Sequence, residues 1–232
     1  MRSRQPRSVT SGQVSEFVEH LTKTVVVTGQ KSILPGVQVC LDVAREDWGR
    51  AAEVAAEHAL RWSAVWADHL APGFQVMCLL ACSDGHCLLR TSLPEEDPEL
   101  PSQTASFPAA NRPERHIQDM FGIRFLGHPD PRRWTRHQAW SEKNFPLRKD
   151  FPLAGSPQAE TPPDCDYPFV PVSGEGIYEI PVGPVHAGII EPGHFRFQAD
   201  GEDVLRLEEH LGYVHRGFEK LSEGRDLAGL AR

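Results

Sequence analysis

No stretch of the 232 residues approaches the run of about 20 apolar residues that a membrane-crossing helix needs. The opening "MRSRQPRSVTSGQ" is basic but has no apolar segment behind it, which excludes a secretory signal. Cysteine is sparse: five residues, an odd count without framework spacing, point to a reducing compartment rather than a secreted disulfide scaffold. Positive charge is in deficit, with 24 Lys and Arg against 32 Asp and Glu, so a general nucleic-acid binder with a basic face is excluded. No glycines form a strand–GxGxxG–helix unit, so the sequence carries no dinucleotide-binding fingerprint. What is present, 40% hydrophobic and 24% charged residues, suits a soluble chain of one or two domains.

Proline divides the chain. Of 20 prolines, 14 lie between Pro94 and Pro171, leaving a proline-poor block on either side. In the first block, "SGQVSEFVEHL" has apolar residues at 14, 17, 18 and 21 and predicts an amphipathic helix capped by Ser11. The β-branched runs "TVVVTG" and "GVQVCLDV" read as strands, and "EDWGRAAEVAAEHALRW" reads as a helix. "FQVMCLLAC" and "CLLRTSL" flank "SDGH", which predicts a hairpin turning at Asp84-Gly85. The fold class is therefore α+β. It comprises a small sheet with helices on one face, a proline-rich extended segment, then a β-hairpin plus helix that open a larger domain.

Cys78, Cys82, His86 and Cys87 in that hairpin raise a zinc site, since structural zinc favours closely spaced cysteine pairs. Positions 78, 80 and 82 alternate onto one strand face, however, and cysteine is a common buried hydrophobe, so no metal ligand is assigned. In "NRPERHIQDM", Asn111 is a candidate cap, Pro113 sits in the first turn, Glu114 lies near the helix start, and Ile117, Met120 and Phe121 form an apolar stripe. Gly122 should end that helix, and "IRFLG" offers a short strand. "HPDPRRW" cannot join a sheet interior because its two prolines remove donors, so it predicts a rigid loop presenting His128, Asp130, Arg132 and Arg133. Asp119 and Asp130 could simply hold Arg124, Arg132 or Arg133. Arginine forks fix loops and interfaces well, and an interface is the reading that the chemistry supports.

"ERHIQDMFGIRFLGHPDPRRW", followed by "NFPLRKDFPL" at 144–153, resembles the signature of the C subunit of the respiratory NADH-quinone oxidoreductase, complex I. The chain departs from that pattern with His116 where glutamate is usual and Pro131 where leucine is usual. The resemblance implies a hydrophilic scaffold that binds no redox cofactor, and it adds Arg148, Lys149 and Asp150 to the expected interface.

The second proline-poor block carries "GIYEIPVGPVHAGIIEPGHFRFQADGEDVLRLEEHLGYVHRGFEKL", 176–221. "HFRFQA", "DGED" and "VLRLEEHLGY" predict a hairpin, and "GYVHRGFEKL" predicts a helix turning Phe218 and Leu221 inward. His186, Glu191 and His194 sit in one glycine-flanked loop. They could relay protons, because histidine titrates near neutrality and an apolar setting (Ile189 and Ile190 precede Glu191) raises a carboxylate toward it. Residue types alone favour the plainer alternative, a capped loop whose histidines bond to backbone. The block is similar to the start of the large subunit of membrane-bound, complex I-like nickel-iron hydrogenases of the formate hydrogenlyase type. That resemblance implies proton transfer at Glu191 and an interface role for His215, Arg216 and Glu219, which match its His-Arg-Gly-x-Glu motif.

A nickel-iron centre needs four thiolates, yet after Cys165 there is no cysteine. The expectation is a truncated or split large subunit, inactive alone, that holds no cofactor itself. Its complete complex would contain a nickel-iron centre or quinone together with iron-sulfur clusters. Expected partners are an iron-sulfur small subunit and membrane subunits, which would hold the chain at the cytoplasmic face of the membrane. The expected layout is a disordered start (1–11), an α+β domain like the complex I C subunit (12–134), an extended linker (135–172) and a large-subunit fragment (173–232). The competing class is an independent zinc-binding, hydrolytic or protein-interaction module with no redox role.

Overall fold

The structure, a computed structural model, describes residues 12–31, 36–83, 85–136, 140–155 and 168–231. Helix α1 (Gln13–Thr24) forms because Val14, Phe17 and Leu21 recur at helical spacing and are buried together. Its N-cap is Gly12, while the expected cap Ser11 lies outside the described residues. Strands β1 (Val27–Lys31) and β2 (Val37–Val43) follow, then α2 (Trp48–Glu57), β3 (Arg61–Leu70), β4 (Gly73–Cys82) and β5 (Gly85–Pro94). The five strands make one sheet in the order β1-β2-β5-β4-β3, with β2 and β5 parallel and every other neighbour antiparallel.

Alternation along β4 buries Phe74, Val76, Cys78 and Leu80 on one face. They join a single core with Phe17 and Leu21 of α1, Trp48 and Val54 of α2, and Ile117 and Met120 of α3 (Asn111–Phe121). The helices therefore cover one sheet face, as the α+β reading requires. Full burial of large apolar side chains such as Phe17, Phe74 and Leu80 stabilises the unit by about 1.5–3 kcal/mol each.

Several elements depart from expectation. The second helix stops at Glu57, so Arg61 and Trp62, assigned to it from sequence, begin the ten-residue strand β3. Ala59 makes the stop by taking a left-handed φ of 56° while the Leu60 N–H bonds back to the Ala55 carbonyl. Asn111 is the first helical residue of α3 rather than its cap, because a short 3₁₀ turn at Pro108–Ala110 leads into it. Gly122 does end α3, at φ +78° with its N–H on the Gln118 carbonyl. A Cβ there would lie 2.7 Å from the Phe145 ring. The expected "IRFLG" strand is β7 (Arg124–Leu126), parallel to β6 (Glu99–Pro101). The expected hairpin residue Asp84 lies outside the described residues.

Contacts divide the chain into two units, the first running through Arg136 and including Phe145–Pro152. Residues 145–152, expected within an extended linker, instead pack here, with the Leu147 N–H on the Met120 carbonyl. The second unit contains an antiparallel sheet in the order β10-β9-β8, built from β8 (Ile177–Val182), β9 (His194–Asp200) and β10 (Asp203–His210). The β9–β10 hairpin matches the sequence reading, whereas β8 goes beyond it. The expected helix "GYVHRGFEKL" shrinks to α4 (Phe218–Ser222), because Gly217 takes a left-handed φ of 64° just before it. Phe218 and Leu221 are exposed rather than inward, at 66% and 43%. A final short helix, α5, spans Leu227–Leu230.

Candidate functional site: a latched arginine loop

Helix α3 carries a run of polar side chains that turn toward the loop following β7. Arg115 is nearly buried; its Nε donates to the Arg132 carbonyl at 2.7 Å and Nη2 to the Arg133 carbonyl at 3.0 Å. Its Nη1 also pairs with Asp130 at 2.9 Å. One turn on, the fully buried Asp119 uses Oδ2 to accept the backbone N–H groups of Trp134, Thr135 and Arg136 at 2.7, 2.6 and 3.0 Å. Gln118 donates to the Pro131 carbonyl, and the His116 ring bonds the Thr135 hydroxyl. A loop that two prolines keep out of any sheet thus has its backbone groups satisfied by helix side chains instead.

The loop is also braced from within. Asp130 accepts the Arg132 backbone N–H and both ends of the Arg132 guanidinium fork. Hydrogen bonding from Arg132 holds the Asp130 carboxyl down at about 2, well below the usual carboxylate range. His128 points inward, with its side chain 4% exposed. Its Nδ1 accepts the Asp130 N–H at 3.0 Å, which leaves Nε2–H to donate to the Asn111 carbonyl at 3.1 Å. The indole of Trp134 carries the guanidinium groups of Arg112 and Arg115 at 4.9 and 5.3 Å from the ring centre.

Beneath this loop lies Glu114, fully buried, accepting from the Ser102 hydroxyl at 2.6 Å and the Gln103 N–H at 2.8 Å. Burial pushes its carboxyl up to about 7, against the lowering effect of those two bonds. In the sequence Glu114 reads as a helix-start residue only. Its buried role is not legible there, since nothing local marks a carboxylate that a preceding loop will cover.

Of the predicted interface residues, Arg132 reaches solvent, with its side chain 75% exposed, and Trp134 beside it is 44% exposed. His128 is not presented but buried, and Nη2 of Arg133 is buried too. The expected carboxylate–arginine partners are also redrawn. Asp119 holds backbone rather than an arginine, Asp130 holds Arg115 and Arg132, and Arg124 pairs with Asp97 and Glu99. Arg148 donates to the Phe121 carbonyl and lies over the rings of Phe74 and Phe145, so it fastens residues 145–152 to the sheet. Lys149 is exposed and pairs with Asp68, and Asp150 is exposed beside it.

In the second unit, His186 and Glu191 lie in the loop between β8 and β9, whereas His194, expected in the same loop, is the first residue of β9 and pairs with His210. Among the described residues His186, Glu191 and His194 are not hydrogen-bonded to one another. His186 accepts from the Gly188 N–H, His194 contacts the Gly183 carbonyl, and Glu191 pairs with Arg216. The Glu191 side chain is 56% exposed and Ile189 is fully exposed, so the desolvation that the sequence argument requires is absent from this structure. His215 and Glu219 are exposed. The strand register gathers Tyr178, Ile180 and Val182 of β8, Phe195 and Phe197 of β9, and Val204 and Leu207 of β10 onto one sheet face. On that face Tyr178, Ile180, Val204 and Leu207 are 43–56% exposed. The opposite face is polar and partly covered: the Val170 N–H bonds Glu208, and Arg196 lies over the Phe169 ring.

The cysteines of the first unit do not gather as zinc ligands. Cys78 and Cys87 face the core, and the His86 ring instead contacts the Gly36 carbonyl. Among the described residues no cluster of three or more His, Cys, Asp or Glu is placed to hold a metal ion. None of their helices is long and apolar enough to cross a membrane.

Hydrogenase-4 component G of Escherichia coli is 43% identical over 130 residues, covering 55% of this chain and 23% of that protein. Formate hydrogenlyase subunit 5 of the same organism is 39% identical over 138 residues, covering 59% and 24%. The C/D subunit of NADH-quinone oxidoreductase from Phocaeicola vulgatus is 35% identical over 144 residues, covering 55% and 27%. The chain thus spans about a quarter of the length of the curated relatives it matches. Residues 41–157, which include most of the sheet, α3 and the whole latched loop, match a single family. The chain belongs to the family of the respiratory-chain NADH dehydrogenase 30 Kd subunit.

Proposed function

We propose that this chain is a peripheral-arm subunit of a complex I-like oxidoreductase or membrane-bound hydrogenase, in which its first unit acts as a docking scaffold. The observation that carries this reading is the latch. Arg115 and Asp119 devote five hydrogen bonds and an ion pair to holding one loop, and that loop lifts Arg132 and Trp134 into solvent. A pre-ordered arginine beside an aromatic is the composition of an interface anchor, because little entropy remains to be lost on binding. The named relatives belong to hydrogenase, formate hydrogenlyase and NADH-quinone oxidoreductase assemblies, which supports partner subunits of that kind, an iron-sulfur subunit and membrane subunits among them. Peripheral attachment to a membrane would then come through those partners.

The second unit, on this reading, supplies one wall of the quinone or nickel-iron cavity, with Glu191 and Arg216 paired at its rim and Glu191 available to pass protons. The apolar face of the β10-β9-β8 sheet supports the presence of a further layer over it, since so much apolar area favours removal from water. The residues present do not fit the metal centre itself. The sequence has no cysteine after Cys165, and Cys78 and Cys87 are buried in the core of the first unit. Thiolates for such a centre would have to come from outside these 232 residues.

The test is Arg132→Ala in the tagged chain within its native host. Loss of an exposed anchor arginine should weaken association by about 5- to 100-fold, or roughly 1–3 kcal/mol. The melting temperature of the isolated chain should fall only slightly, because the Arg132 end of its pair with Asp130 is exposed. Unchanged co-purification of hydrogenase or NADH dehydrogenase subunits would refute the docking role. Arg133 is a poorer choice than Arg132, because its buried Nη2 confounds binding with folding.

A further inference from the structure

The tip of the β4–β5 hairpin places two thiols in contact. The register pairs Cys82 with Gly85 and Leu80 with Cys87, so Cys82 and Cys87 are diagonal neighbours on the same sheet face. Gly85, directly opposite Cys82, has no side chain to stand between them, and the two Sγ atoms approach to 3.8 Å. The geometry points to a reversible disulfide between Cys82 and Cys87, closed by a peroxide-class oxidant and reopened by a dithiol reductant.

A disulfide needs its sulfurs at about 2.0 Å, so the pair must close by roughly a further 1.8 Å. Side-chain rotation and a slight pinch of the strand ends can supply that, because only two residues separate the end of β4 from the start of β5. The tip is already tethered: Gln13 Oε1 accepts both the N–H and the hydroxyl of Ser83, while Gln13 Nε2 donates to the His58 carbonyl. These bonds hold the end of β4, and with it Cys82, in place against the first helices.

Their unequal burial assigns the order of events. Cys82 is partly exposed, and Cys87 is completely buried behind it. Peroxide reaches Cys82 first; its sulfur attacks the O–O bond, becomes a sulfenic acid and releases one water. The Cys87 thiol then attacks the sulfenic sulfur, the S–S bond forms and a second water leaves. Two thiols lose two electrons and two protons in all, and one peroxide becomes two waters. In a reducing compartment such a bond persists only while oxidant does, which makes the hairpin tip a redox-responsive site rather than a permanent staple. The other thiols of the sheet serve as controls. Cys78 lies deep in the core, where burial pushes its thiol up to about 12, and Cys40 alternates to the sheet face opposite Val39 and Cys87.

The experiment exposes the full chain to hydrogen peroxide, blocks remaining thiols with N-ethylmaleimide after unfolding, and maps peptides by mass spectrometry. The expected product has lost two hydrogens and two alkylation sites at Cys82 and Cys87. Dithiothreitol should restore both sites, and Cys82→Ser should abolish the bridge while Cys78→Ser leaves it. The inference is overturned if both cysteines remain fully alkylated, if the bridge forms with Cys40, Cys78 or Cys165, or if Cys82 passes to sulfinic acid without a bridge. The wild-type map decides the matter even where a variant folds poorly.

Discussion

Replacing Asp119 with alanine should detach the arginine loop without unfolding the sheet beneath it. In the folded chain one carboxylate oxygen takes three backbone N–H groups within 3.0 Å, on a residue with no solvent exposure. Hydrogen bonds to a charged acceptor contribute about 1.5–3 kcal/mol each, so simple addition would give roughly 5–9 kcal/mol. That sum exceeds what the variant can lose. Once the orphaned N–H groups cost more than the loop's remaining contacts hold, the loop swings out and water satisfies them. Arg115, Gln118 and Trp134 provide those remaining contacts, so the loss should stop at about 2–4 kcal/mol, a large fraction of ordinary domain stability. Asp119→Asn keeps a neutral acceptor and should cost less, about 1–2 kcal/mol. Urea unfolding measures the equilibrium loss. Limited trypsin digestion measures the detachment directly, because Arg132 and Arg133 lie in the segment and their carbonyls are held by Arg115. The alanine variant should be cut there many-fold faster than wild type. Equal cleavage rates together with an unchanged urea midpoint would refute the latch.

Two further outcomes follow from the same region. Glu114 has a folded value near 7 against the usual 4.5, so the folded chain favours the protonated form and the cost of ionising it is absent below about pH 4.5 and complete above about pH 7. That span corresponds to about 3 kcal/mol lost as pH rises through this window, and Glu114→Gln should flatten this part of the pH–stability curve in denaturant titrations. Gly122→Ala forces a side chain into the left-handed region and against Phe145, so the melting temperature should fall with a loss of about 1–3 kcal/mol, and an unchanged value would show that the helix end relaxes freely.

What the sequence makes legible is local. Ile117, Met120, Phe121 and Gly122 announce α3 and its end because helical spacing and a left-handed glycine act within a few residues of one another. The stop of α2 is equally local in space but carries no glycine: Ala59 adopts the left-handed conformation, so the alanine-rich run reads straight through into what is β3. Strand β8 is concealed by Pro181, which an edge strand tolerates because, among the described residues, that strand pairs on one side only. The latch is half legible. Its arginines and prolines announce a stiff, charged loop, but the bonds that fix it run from side chain to backbone across 15–18 residues, and no sequence period marks such pairs. Hence His128, expected outside, lies inside, and Glu114, whose carboxyl is raised to about 7, looks in the sequence like an ordinary helix-start glutamate.

The two units differ in where their polar groups are placed. In the first, carboxylates and guanidinium groups are buried and turned toward backbone, apolar surface is taken up by a core of its own, and Arg132 and Trp134 are left outside. Such a unit is ordered before it meets anything, and its docking should depend on a few contacts and little on refolding. In the second, Glu191 and Arg216 pair in the open, and a sheet face of Tyr178, Ile180, Val204 and Leu207 stays exposed. Surface ion pairs of that sort contribute little, whereas the apolar face would contribute substantially once covered. Association of the first unit should therefore respond to single arginine substitutions and to salt. Association through the second should respond to the removal of apolar side chains and be nearly indifferent to ionic strength. Measuring the salt dependence of assembly for Arg132→Ala and Leu207→Ser side by side separates the two modes. If both variants showed the same salt response, the division between a pre-ordered docking unit and an apolar mating face would be wrong.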